Sequence, residues 1–409
     1  MKTAKMIGMI VAGLSGCLTL GVFADGPVIS DVKVRQRWPW SRLVDIEYVL
    51  SSHPTQRMDI AVSAFNGSEP LPLPLGSLSF SGDMCGVSQG IRHMVWDPTK
   101  TAYTNETLKQ FRVELTPTNI PLYMIVSLTN VVGTSPQIEY IYPGDPNLVT
   151  VGPWTNVWFD VTNHTEYKTD KLVLRRVSAG TFKMGGYPPT VDTTLTQDFY
   201  IGVFNVTEAQ WVKVMGGSST LSEKPKNNTS YNTIRGITND VPPINWPSTG
   251  FDVSPGSFLG KLRANTGFDD FDLPTEAQWE YACRAGTQSY YNDGVSTSDR
   301  DNNTNILNEI AWWLYNRPDG IAVHPVGQKA ANHWGLYDTL GNLWEWCRDW
   351  STNSLPGGTD PAGPVWGTDR ELRGASYGCA ASTLSMLQRY NKPPTETGDR
   401  SIRVVRVLP

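Results

Sequence analysis

The side chains best equipped for covalent or redox chemistry are the cysteines, and there are five: Cys17, Cys85, Cys283, Cys347 and Cys379. Cys379 lies in "RGASYGCAAST", a run of small residues with Ser376 three positions before it. A thiol in that setting is open to four roles: nucleophile, soft-metal ligand, half of a disulfide, or small buried residue. The five histidines, His53, His93, His164, His324 and His333, are dispersed, with no His-x-His or His-x3-His pair for zinc or iron. Such low cysteine usage is not a disulfide scaffold, although one or two bridges are chemically allowed after export.

The elements that must position these residues fall into two groups. From about residue 27 to 145, "VISDVKVRQRW", "RLVDIEYVL", "MDIAVSAF" and "FRVELTP" alternate apolar and polar residues between turn clusters such as "SSHPTQ" and "NGSEPLPLPLG". Short alternating strands at that spacing predict a β-sandwich. Residues 146–167 read as a Pro/Asn/Thr-rich linker, and "KLVLRRVSAGTFKMGG" then predicts strand, glycine turn and strand. "TEAQW" occurs at 207–211 and at 275–279, each predicting a helix start. In both, Thr at the N-cap and Gln three residues later form a capping box, and the Glu in the first turn suits the helix dipole. Trp211 and Trp279 are expected to pack inward, and a further short helix is expected around Phe258 to Ala264. The rest reads as turns and short strands, so the second unit is α+β and irregular, after an all-β first unit.

Composition narrows the function classes. With 39% hydrophobic and 18% charged residues among 409, the balance is globular with room for two domains. Residues 1–24 read as an export signal: Lys2 and Lys5, an apolar stretch, then "VFA" before Asp25. A membrane anchor is the bland alternative, and Cys17 in "LSGC" offers another, a lipoprotein cleaved before that cysteine. Losing Lys2 and Lys5 takes the net charge from −5 to −7. No basic cluster exists, so the phosphate-neutralising surface of a nucleic-acid binder is absent from the sequence. Beyond residue 24 no apolar run approaches the roughly 20 residues of a membrane span. A secreted, periplasmic or cell-surface protein is therefore expected.

Three stretches, "LPTEAQWEYACRAG", "HPVGQKAANHWGLYDTLGNLWEWCRDW" and "LRGASY…RSIRVV", occur in the order found in the formylglycine-generating enzyme family. From about Lys171 onward the chain resembles that sulfatase-modifying-factor domain, with "VSAGTFKMGG" and "FNVTEAQW" as its entry. The resemblance implies a C-type-lectin-like domain over residues 168–409, preceded by an unrelated sandwich over 25–145. It also implies an oxidase that converts a sulfatase cysteine to formylglycine with oxygen and copper(I), the metal being held by two cysteines in a C-x4-C arrangement. Soft copper(I) prefers thiolates, and two of them leave space for substrate.

Carried onto this chain, the first copper cysteine is Cys379 and the catalytic serine is Ser376. Trp344, Arg373 and Tyr377 fall in the ligand pocket. The second copper cysteine belongs at 384, where the residue is Leu384, and Ala380 stands where active enzymes tend to carry His. Copper(I) is therefore doubtful. The expectation is a divergent member that binds a peptide, surface glycan or protein partner, with oxidation of a cysteine-containing sulfatase peptide as the alternative. For Cys379 itself a buried thiol, or a disulfide with Cys347 or Cys283, competes with catalysis. The resemblance further implies a structural calcium held by the side chain of Asp338, the carbonyls of Gly341 and Leu343, and the carboxylate of Glu345. Hard oxygen donors are what calcium requires. The bland reading is that Asp338 caps a turn and Glu345 pairs with an arginine.

Overall fold

The computed structural model describes residues 27–407 apart from 38–40, 52–57, 72–79, 85–86, 99–107, 109, 120, 130–137, 143–144, 152–153, 159, 187–189, 219–221, 237–252, 294–303, 318–319 and 321. The export signal and Cys85 lie outside the described residues. The chain divides into two compact units, with the boundary between Ile120 and Pro121.

The first unit is all β: β1 (Val28–Gln36), β2 (Val44–Ser51), β3 (Met58–Asn66), β4 (Glu69–Pro70), β5 (Phe80–Gly82), β6 (Gly90–Trp96) and β7 (Phe111–Asn119). They form two antiparallel sheets, β1-β2-β6-β5 and β4-β3-β7. The predicted alternation explains why the sheets pack. Val44, Ile46, Tyr48 and Leu50 all point inward from β2, and one core joins them to Met58 and Ile60 of the other sheet. Trp96 closes that core by stacking on Phe111, with ring centroids 4.5 Å apart.

The second unit contains β8 (Tyr123–Ser127), β9 (Ile138–Ile141), β10 (Leu148–Val151), β11 (Trp154–Trp158), β12 (Lys171–Val177), β13 (Gly180–Met184), β14 (Val191–Leu195), β15 (Phe199–Gly202), β16 (Phe271–Asp272), β17 (Trp344–Trp350), β18 (Gly358–Thr359), β19 (Arg370–Arg373), β20 (Tyr390–Lys392), β21 (Arg400–Ser401) and β22 (Val405–Val407). Its helices are short: α1 (Glu166–Thr169), α2 (Glu208–Met215), α3 (Tyr231–Arg235), α4 (Phe258–Thr266), α5 (Glu276–Arg284) and α6 (Thr304–Ile310). A six-stranded antiparallel sheet, β16-β22-β15-β12-β8-β9, separates two apolar clusters. Leu172 and Leu174 of β12 enter one, while Val173 and Val177 enter the other. That two-sided burial explains why "KLVLRRV" is apolar on both faces of the strand.

Two expectations about boundaries are corrected. Residues 121–145, assigned to the sandwich from their strand signals, contain β8 and β9, and β8 pairs with β12 in the second unit's sheet. The linker 146–167 is structured too, holding the β10–β11 hairpin and the start of α1. Local strand propensity cannot say which sheet a strand joins. Both capping boxes form as predicted, at Thr207 with Gln210 and at Thr275 with Gln278. Trp279 is buried, and Trp211 is half-buried and stacked on Phe258, with centroids 4.8 Å apart.

Candidate functional site

The loop bearing Ser376, Tyr377 and Cys379 leaves β19, which pairs antiparallel with β17 in a smaller sheet, β20-β19-β17-β21. It turns sharply at once, with Gly374 at φ +91° and Ala375 at φ +64°. The Gly374 carbonyl accepts the Gly341 amide at 2.8 Å, tying this loop to the 338–342 loop. Gly341 is required there: a Cβ on it would lie 2.3 Å from the Trp312 carbonyl oxygen. The Tyr377 amide donates to the Asn342 carbonyl at 2.9 Å, a second tie.

Cys379 is half-buried, and its sulfur accepts from the Ser376 amide at 3.4 Å, with the Ser376 hydroxyl 3.9 Å away. Its carbonyl accepts from the Leu314 amide at 3.2 Å. Gly374 to Gly378 spell G-x-S-x-G, but no α-helix follows, and Ser376 is buried with its hydroxyl against the Cys379 sulfur and the Gly378 amide rather than a base. That is not the exposed serine of a nucleophile elbow. Tyr377 lies under the Arg317 guanidinium, 5.5 Å from the ring centre. Trp344 is mostly buried beneath Tyr390, with centroids 5.1 Å apart.

Cys283, Cys347 and Cys379 are free thiols, which corrects the disulfide expectation. Cys283 and Cys347 are sealed in the apolar core: burial pushes Cys283 up to about 12 and Cys347 well above the ordinary thiol range. Neither is a source of thiolate. Leu384 is fully buried in the main apolar cluster, against which Cys379 packs from its edge. The position of a second copper thiolate is thus occupied by core packing, and one sulfur does not fit a copper(I) pair. Among the described residues no group of three or more His, Cys, Asp or Glu side chains could hold a metal ion.

Arg373 is corrected from ligand pocket to buried framework. It is fully buried, and it donates to Glu276 at 2.8 Å, to Glu280 at 2.5 Å and to the Met386 carbonyl at 2.5 Å. Arg389 adds bonds to both Glu276 oxygens and to Glu371. Sequence inspection shows Glu276 as a first-turn acid; that its partner lies 97 residues away is a tertiary fact.

The expected calcium donors divide. Both oxygens of Glu345 are filled: Oε1 accepts from Asn205 at 2.9 Å and Arg403 at 2.7 Å, Oε2 from Trp279 at 2.7 Å and Arg403 at 2.9 Å. Four N–H donors, two of them from the Arg403 guanidinium, exhaust its lone pairs, so Glu345 does not fit as a metal ligand. Asp338 differs. It is buried at φ +53°, accepts the Gly327 amide at 2.7 Å, and burial pushes its carboxyl up to about 6. A buried carboxylate so poorly compensated suits a counter-ion.

Comparison with known proteins agrees with the sequence motifs. The Sulfatase-modifying factor enzyme 1-like domain matches residues 160–408. The chain is 29% identical over 216 residues to the chaperone protein LppX of Paenibacillus barcinonensis, covering 45% of this chain and 73% of that protein. It is 34% identical over 142 residues to the formylglycine-generating enzyme of Streptomyces coelicolor, covering 32% of this chain and 45% of that enzyme. The chain thus spans less than half of that enzyme's length. Among solved structures, Treponema denticola variable protein 1 superposes with a TM-score of 0.46 at 23% identity, over 58% of this chain and 95% of that one.

Proposed function

This chain belongs to the sulfatase-modifying-factor family, and from that premise we propose that it is a divergent member that binds a polypeptide partner and does not oxidise cysteine. The observation that carries this reading is Leu384, buried in apolar packing where an oxidase needs its second thiolate. A relative named as a chaperone supports a polypeptide as partner. Candidate contacts for it are exposed Tyr315, whose neighbour Leu314 bonds to the Cys379 carbonyl, and Tyr390 against Trp344. Relatives named as formylglycine-generating enzymes keep oxidation as the competing reading. Anaerobic copper(I) titration and incubation of a cysteine-containing sulfatase peptide with oxygen separate the two. We expect no stoichiometric copper and no aldehyde product. Copper binding that disappears in Cys379→Ala, together with oxygen-dependent aldehyde formation, establishes the oxidase instead.

Calcium enters the same proposal on a reduced donor set: the Asp338 carboxylate and the carbonyls of Gly341 and Leu343, with Glu345 left to Arg403. Its role there is to hold loops, with no redox chemistry. A melting temperature unchanged by chelator removes this element of the proposal. Export completes it, with a mature chain beginning at Asp25; no helix among the described residues is long and apolar enough to cross a membrane. N-terminal sequencing of protein recovered outside the cytoplasm tests that, and a lipidated Cys17 is the contrary result.

A further inference from the structure

A groove of about 400 Å³ lies in the second unit, in a segment separate from the Cys379 loop. It is lined between Thr352 and Val365, and its volume falls within the roughly 300–1,000 Å³ of small-molecule sites. Its wall is anchored. Gly363 and Gly367 press so closely on β17 that a Cβ on either would lie 2.9 Å from the Cβ of Asp349 or Trp350 respectively. Arg389 grips the opposite end through the carbonyls of Thr352 at 2.8 Å and Ser354 at 3.3 Å. Between the two glycines the chain presents Val365 and then Trp366, which is 79% exposed. Single exposed apolar residues are ordinary. An indole held in solvent on an anchored tip, directly after a groove-lining residue, is a more specific arrangement.

The chemistry of the lining narrows the ligand. Asp360 is the only ionisable side chain among the lining residues, and its carboxylate is committed to the Thr196 amide at 2.8 Å and hydroxyl at 2.6 Å. The arginine behind the groove is committed to Glu276 and Glu371. The guanidinium therefore offers no free charge to an anion, while the Asp360 carboxylate, bonded only to neutral donors, keeps its charge and further lone pairs for ligand hydroxyls. Beside it stand the hydroxyls of Thr352 and Ser354, which have only a marginal 3.5 Å contact with each other, the hydroxyl of Thr359, and glycine and proline backbone. A saccharide matches this set: its hydroxyls bond to hydroxyls, backbone groups and a carboxylate, and its C–H face suits the indole of Trp366, the residue that follows the lining. A proline-rich peptide wants a groove lined by several aromatic rings, and here one Trp is exposed.

We infer that the groove lined between Thr352 and Val365, together with the Trp366 indole that follows it in the chain, is a binding site for a neutral saccharide. The test is saturation-transfer NMR on the full chain with cellotetraose, chitotetraose, maltotetraose and xylotetraose as probes, in wild type, Trp366→Ala and Thr352→Val. The expected result is transfer to at least one probe, weakened about tenfold or more in Trp366→Ala, as loss of a stacking anchor predicts. Because Trp366 is exposed, its melting temperature should be unchanged, so loss of binding cannot be mistaken for unfolding. The inference is overturned by no binding of any probe at millimolar concentration, by equal binding in Trp366→Ala, or by Trp366-dependent binding of decaproline in place of the sugars. None of these results bears on copper or Cys379, so this site and the proposed function stand or fall separately.

Discussion

The two units differ in their ion pairs: among the described residues the sandwich holds them at its surface, whereas the second unit adds buried pairs to exposed ones such as Lys183–Asp192. In the sandwich, Lys33–Glu47 and Arg37–Asp45 link neighbouring strands on the solvent side, with Lys33 71% and Glu47 45% exposed. In the second unit, Arg373 with Glu276 and Glu280, Arg403 with Glu345, and Arg235 with Asp272 are almost completely buried. The difference follows from the backbone. Regular strands satisfy one another's amides and carbonyls, so the sandwich core can be purely apolar. A domain built largely of loops leaves carbonyls inside without a ladder, and long guanidinium side chains reach them. Arg403 alone serves the carbonyls of Gly202, Val203 and Tyr337 as well as Glu345 and Asn205.

The contrast can be broken most forcefully at Arg403. Arg403→Met leaves Glu345 charged, buried and short of two donors, and should cost about 3–5 kcal/mol in denaturant unfolding. A small loss would mean that the buried ions are not structural. Next comes Leu384→Ala, which opens a cavity in the main apolar cluster and should cost about 2–5 kcal/mol. Because only one unit contains Leu384, the calorimetric transition that moves identifies the second unit.

That transition should also respond to pH in a distinctive direction. Burial, followed by the charge of Glu276, pushes Asp349 up to about 7 and Glu371 up to about 7. Unfolded carboxyls titrate at about 4. Between those values the folded unit holds protons that the unfolded chain has released, so its stability falls as pH rises from about 4 to about 7. Asp349→Asn should flatten that slope. Asp45 and Glu47 in the sandwich run the other way. Hydrogen bonds from Arg37 and Lys33 hold them below the usual carboxylate range, so their contribution is present above the unfolded value and lost as pH falls through the folded one. Their exposure makes that contribution small.

Smaller again is Thr275→Ala, which removes the cap of α5 and should cost about 1 kcal/mol by thermal unfolding. Smallest is Lys33→Ala, for which no measurable change in the sandwich transition is expected. A clear destabilisation there would blur the contrast between surface and buried pairs.

Much of the framework was legible in sequence because it is local. The strands of the sandwich follow from period-two alternation, and the two helix starts follow from "TEAQW", whose capping contacts span three residues. The boundary at Ile120 was hidden because β8 looks like any other short strand, and only its pairing with β12, more than 40 residues on, assigns it. Around the candidate site, motif order located the Cys379 loop, while Arg373 and Glu345 looked available to ligands. Their partners, Glu276, Glu280 and Arg403, come from distant parts of the chain.

By itself, then, the sequence determined the family, the two kinds of unit and the absence of a second cysteine at Leu384, since each depends on residue identity and short spacing. Tertiary structure alone decided that Leu384 is core, that Cys379 is a free thiol and that Glu345 is already saturated. Availability is a property of what surrounds an atom. Burial and hydrogen-bond occupancy arise from segments 50 to 100 or more residues apart, and no local pattern records them.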